Sequence, residues 1–373
     1  MKARWLGVEG LRRSWRVLGL ATLGSALAAC GNDPPPLESA SVCMEAWQPL
    51  TTARPYDVTS QLVYQDGTLY LSTALEGILS LSTTASQPTP LSPMSSQELW
   101  IEGDHLFFSG GAQATQIWTL PLVGGTAQLI ADGGAGRTNV GISLHHAFTD
   151  TDFIWTEQSF GEIGPTTVWR MSRSGGDPIQ FGSATAVVPT DNVELGFSAI
   201  ALGNEGVVLA ADFGIADLVP YDGEPTRPLA APVASNIGYI TLAGVDPTGA
   251  YWLIPRPGSS TDVDESDLVL APADGGPVRT FWTEAPPHSG IDHIWPDGAG
   301  GWVMVGAQMF DDHLFHSTVW LLDAAKTATR IGCSPADAQR AWMDTRVAVG
   351  SDGVYAISKN LIAPTWEIDR IAR

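Results

Sequence analysis

A short apolar triplet returns seven times along the chain, and this beat constrains the fold more than any other feature. It reads Leu69-Tyr70-Leu71, Leu106-Phe107-Phe108, Phe153-Ile154-Trp155, Val207-Val208-Leu209, Tyr251-Trp252-Leu253, Trp302-Val303-Met304 and Val354-Tyr355-Ala356. Successive middle residues lie 37, 47, 54, 44, 51 and 52 apart, the period of a repeat architecture. Apolar residues arriving on that beat cannot be shielded one sheet at a time and must be stacked radially.

Each triplet has companions. A second strand ends in a tight turn, as in "IWTLPLVGGTAQLI" from Ile117, "VWRMSRSGGDPIQF" from Val168 and "LVLAPADGGPVRTF" from Leu268, with weaker copies from Ile78, Ala216 and Val319. The glycine pairs tolerate positive φ and close hairpins that β-branched residues could not. Before each triplet lies another strand-like segment, such as "QLVYQDG" at Gln61 or "ELWIEGD" at Glu98. Four strands per unit and seven units, with no sustained period of 3.6, predict an all-β fold, a seven-bladed β-propeller of four-stranded antiparallel blades. The single stretch with helical character is Ser334 to Met343.

Ring closure follows from the ends. The last unit stops after "WEIDRIAR", Trp366 to Arg373, one strand short, while "EAWQPL", Glu45 to Leu50, matches the outer strand Ser86 to Leu91. The N-terminal strand is expected to complete blade seven, leaving no open edge and favouring a monomer. Cys43 and Cys333 would then sit near one rim between neighbouring blades, and a disulfide between them is expected.

The N-terminus carries Lys2, Arg4, Arg12, Arg13 and Arg16, then Val17 to Ala29 without a charge, too short to span a bilayer as a helix. Residues 1–29 read as a signal peptide. Leu27-Ala28-Ala29-Cys30 resembles the lipobox of bacterial lipoproteins, which implies lipidation of Cys30, anchoring in the cell envelope and two or three acyl chains such as palmitate. Residues 30–43, rich in proline and polar residues, read as the lipidated cysteine and a flexible tether, and 44–373 as the propeller domain. Gly31 rather than Asp after the cysteine implies the outer membrane under the sorting rule of enteric lipoproteins.

Loss of residues 1–29 turns 19 basic and 40 acidic residues into 14 and 39, a net charge of about −25 rather than −21. Such a charge repels phosphates, so nucleic acid is excluded as a partner. The pattern of triplet, turn, "VWRM" or "IWTL" and glycine pair is similar to the degenerate propellers of bacterial envelope lipoproteins, the Tol-associated and YWTD-like groups, over roughly residues 45 to 373. That resemblance implies architecture more than activity.

Three clusters are candidates for chemistry. The acidic stretch Ser259 to Asp267 places Asp262, Asp264 and Asp267 close enough to suit calcium, although Asp267 stands where an EF-hand needs glycine. "FDDHLFH", Phe310 to His316, could offer Asp311, Asp312, His313 and His316 as mixed ligands. At the starts of the innermost strands, around the channel mouth, fall Asp57, Glu98, Arg137, Glu194, His288, Asp292, His293, Asp344 and Arg346. Gluconolactonase-like propellers hold calcium with Glu, Asn and Asp there, and quinoprotein propellers use His and Arg. The chain has no G-x-S-x-G elbow, H-E-x-x-H or Walker loop. The expected function is therefore binding or scaffolding of a protein or glycan through the loop face with no cofactor required; the alternative is a calcium-dependent hydrolase or lactonase at the channel mouth.

Overall fold

The computed structural model describes residues 37–55, 57–110, 116–132, 140–159, 165–187, 194–195, 197, 199–229, 240–255, 266–283, 289–297, 299–335, 340–360 and 365–373. Seven antiparallel sheets stand around an axis as a seven-bladed β-propeller; the first six take their strands A to D in sequence order, and the seventh takes A to C from the C-terminal end of the chain. The A strands contact one another between most adjacent blades and line the centre. In blade one the strands are Val63–Gln65, Thr68–Thr73, Gly77–Ser82 and Thr89–Ser92. One small pair, Ala186–Val187 with Glu194–Leu195, stands outside the blades, between the third and the fourth.

The triplets are apolar at consecutive positions because both faces of every B strand are covered. Leu69 and Leu71 pack against blade seven, while Tyr70 between them packs against blade two. In blade five Trp252 points into the seam with blade four, and Tyr251 and Leu253 into the seam with blade six. Strand neighbours alternate in direction, so a blade clasped on both sides needs an unbroken apolar run. Seven clusters result, one per seam, and together they close the circle.

The turns between strands C and D share one construction. Gly124, Gly175, Gly223 and Gly275 occupy the same place in blades two to five, with φ of 88, 92, 83 and 78°. Each donates its amide to the carbonyl three residues earlier, as Gly124 does to Pro121 at 2.8 Å. In blade six the equivalent residue is Lys326, with φ of 68°.

Blade seven is completed from the other end of the chain, as the sequence suggests. Trp47–Pro49 pairs antiparallel with the last strand, Thr365–Ala372, setting Trp47 against Ile371 and Pro49 against Asp369. Just before it, a four-residue helix, Ala40–Cys43, and a 3-10 turn, Met44–Ala46, lie on blade six. Asp311 accepts the Ala40 amide at 3.0 Å, Glu38 pairs with Arg330, and Cys43 forms a disulfide with Cys333, Cα to Cα 5.4 Å. Ala40, Cys43, Phe310 and Cys333 form a small core of their own.

One expectation is corrected. The residues from Arg340 onward in the stretch Ser334 to Met343 are extended: Arg340–Val349 is strand A of blade seven, with Trp342 opposite Ser358. A short helical pattern yields to the ring's requirement for an inner strand at that point.

Candidate functional site

The loops joining B to C, and D to the next A, emerge on one face of the ring. On that face the ends of the strands turn polar while remaining buried. Between blades one and two, Thr59 donates its hydroxyl to the Ser96 carbonyl at 2.6 Å, the Ser96 amide donates to the Ser72 hydroxyl at 2.8 Å, and the Ser72 amide to that of Ser60 at 2.8 Å. The Ser96 hydroxyl in turn accepts from the Glu98 amide at 3.0 Å and lies 3.2 Å from that of Ser109. These contacts fix the backbone at Glu98, whose side chain is one of the most enclosed acids of the ring at 3% exposure. Burial pushes its carboxyl well above the ordinary carboxylate range.

Glu98 stands two residues before Trp100, on the side of the chain that faces blade three. A second acid, Glu157, faces the same seam from blade three. It is 1% exposed and accepts a hydrogen bond from the Trp155 indole at 3.2 Å. Beneath the two acids the seam is filled by stacked rings, with Trp100 5.9 Å from Phe153 and Phe153 5.2 Å from Trp155. Two buried carboxyls thus crown an aromatic seam at its loop-face end. Arg137, expected at the channel mouth, lies outside the described residues.

The inner strands of blades three, five, six and seven all break register, and several expected site residues fall at the breaks. In blade six Ile291 pairs with Gly306 and His293 with Val305, leaving Asp292 as the extra residue. In blade seven the break runs between Trp342 and Val347 and contains Asp344 and Arg346. Bulges bend a strand and re-aim side chains, and they concentrate beside sites. Asp292 and His293 are half-buried, and the His293 ring lies 5.6 Å from that of Trp295. The side chains of Asp344 and Arg346 lie outside the described residues. Glu194 does not stand on an inner strand: it belongs to the extra pair, opposite Val187. Asp57 is consumed by structure, accepting from the Trp366 indole at 3.1 Å and the Leu75 amide at 3.2 Å. His288 and Cys30 lie outside the described residues.

The two metal-like sequences fare differently. Asp262 and Asp264 lie outside the described residues, whereas Asp267 is within strand C of blade five, Ser266–Pro272, opposite Ile254. In "FDDHLFH" the ligand types diverge. Asp311 caps the N-terminal helix, His313 is exposed with φ of 59°, and His316 is 1% exposed between Ser334 O at 2.7 Å and Asp312 at 2.9 Å. The amide of Leu314 and the ring of His316 hold the Asp312 carboxyl below its ordinary value. Among the described residues no three His, Cys, Asp or Glu side chains gather as a metal site.

No family model matches the chain. No curated protein matches it. Solved structures do. YCF48 from Cyanidioschyzon merolae has a TM-score of 0.55 at 10% identity, over 87% of this chain and 98% of its own. A structure of YCF48 bound to D1 peptide gives 0.53 at 8% identity, over 90% and 98%. The extracellular domain of the hybrid two-component system BT4673 from B. thetaiotaomicron gives 0.52 at 10%, over 87% of this chain and 39% of that one. At these identities the likeness shows the fold.

Proposed function

We propose that the chain is a lipid-anchored envelope protein that binds a protein partner through the loop face of its propeller. The observation that carries this reading is the concentration of polar, buried and register-broken positions on the loop-face side of the inner strands and seams: Glu98, Glu157 and the bulges at Asp292 and at 343–346. A rigid ring presents such positions to a ligand without first ordering them, and binding residues gather on loops held in this way. YCF48, a propeller of similar extent, is known with a D1 peptide bound, which supports a peptide or protein as the kind of ligand such a ring can hold. Lipidation of Cys30 supplies the envelope location in this reading.

Site-directed photo-crosslinking in the source organism tests it. Leu75 and Leu314 are exposed in B to C loops, and Val123 is exposed on the opposite face. A photoreactive residue at 75 or 314 is expected to capture the same envelope protein, and one at 123 to capture none of it. Capture from position 123 alone, or no adduct from either loop position, overturns the assignment of the face.

A further inference from the structure

The opposite face of the ring carries a lysine at a left-handed turn position that does not call for a side chain. Lys326 fills the place in the C to D turn where blades two to five have glycine, and it holds φ of 68°. Its amide still donates to the carbonyl three residues earlier, Asp323, at 2.9 Å, so glycine would serve the turn equally well. A side chain is disfavoured in that region of φ and ψ. The chain has only three lysines, Lys2, Lys326 and Lys359. What Lys326 gains is at the end of its side chain.

Its Nζ lies 3.3 Å from the centre of the Phe281 ring and 3.5 Å from that of Trp302. Phe281 comes from blade five and Trp302 from blade six, and the rings meet edge to face at 4.8 Å and 84°, forming a corner with two cation-attracting walls. Tyr251 braces Phe281 from the other side at 4.9 Å. Asp246 stands behind, its carboxylate held by the Thr248 amide at 2.7 Å and the Tyr251 hydroxyl at 2.8 Å. Burial and the Arg279 guanidinium push the Lys326 ammonium down to about 8, against the pull of Asp246 and Asp323.

We propose that this corner is a binding site for alkylammonium groups, a lysine side chain or an N-methylated amine, which Lys326 fills in the free protein and yields to a ligand. Ring faces attract a cation without requiring hydrogen bonds from it, so methylated and primary ammonium groups are both accepted. A rounded head meets both walls, whereas a flat guanidinium stacks fully on one. The strongly negative chain concentrates cations near its surface.

The test follows the indole N–H signal of Trp302 by NMR in the full-length protein while tetramethylammonium, Nα-acetyl-lysine amide or its trimethylated form is added, with Nα-acetyl-arginine amide as control. Lys326→Gly restores the residue of the sister turns and keeps the fold. The wild type is expected to saturate weakly with tetramethylammonium and Lys326→Gly about tenfold more tightly, with saturation lost in Lys326→Gly/Phe281→Leu at an unchanged melting transition. The acetyl-lysine and trimethyl-lysine arms show which source of ammonium the corner prefers, and either preference supports the site. No saturation in Lys326→Gly, saturation that survives Phe281→Leu, equal saturation with the arginine control, or saturation of Lys326→Gly with none in the wild type overturns the proposal.

Discussion

Cys43 and Cys333 are joined across 290 residues of chain, and the bond fastens the segment that closes blade seven to the outer strand of blade six. Closing so long a loop restricts the unfolded ensemble. The Cys43→Ser/Cys333→Ser variant is expected to lose up to about 5 kcal/mol in the chain-entropy account. Denaturant titration measures the loss, and mass spectrometry of non-reduced tryptic peptides checks the bond in the wild type.

Trp47–Pro49 covers the edge of Thr365–Ala372. Deleting residues 37–50 in a Cys333→Ser background is expected to expose that edge and produce dimers and larger species on size exclusion. The double serine variant, which keeps the strand, is the control and is expected to elute as a monomer.

Asp217 lies on strand C of blade four, on the side that Val219 turns toward blade three. Burial raises its carboxyl from 3.8 to about 6. The folded state thus holds this proton more tightly than the unfolded state, so ionisation opposes folding. The effect is absent below pH 4, develops between pH 4 and 6 and is complete above. Asp217→Asn is expected to stabilise the protein at pH 8 by on the order of 1 kcal/mol, after allowance for solvent screening. At pH 4 the two melting temperatures are expected to coincide.

If Cys30 carries lipid, Cys30→Ala is expected to accumulate as a larger precursor and to take up no label from an alkyne-bearing fatty acid. The wild type is expected to take up the label and to partition into detergent. Labelling of the variant, or of neither protein, counts against the anchor.

The architecture was legible because its physical cause is local and repeated. Burial of both faces writes an uninterrupted apolar triplet into every blade, and a left-handed turn position writes a glycine. The site was less legible because it is built from exceptions to the repeat. Glu157 carries a signal in "FIWTEQS", a lone acid closing an apolar strand, which the triplet reading passed over. Lys326 could have been found by aligning "DAAKT" with "PADGG", where it stands opposite Gly275. The bulges at Asp292 and around Asp344 leave no composition cue, since an added residue in an inner strand differs only in its pairing. In "FDDHLFH" residue type alone suggested a ligand set; the helix cap at Asp311 depends on a segment some 270 residues earlier, and the buried place of His316 on the residue that follows the neighbouring strand, Ser334.

The pairing of Trp47 with Ile371 also sets an order of events in the life of the molecule. A ribosome delivers the first member of that pair hundreds of residues before the second. The circle cannot be finished until that second strand is made, so the early blades must wait unsealed, and whatever escorts the nascent protein has to guard one lone ribbon until its partner is synthesised.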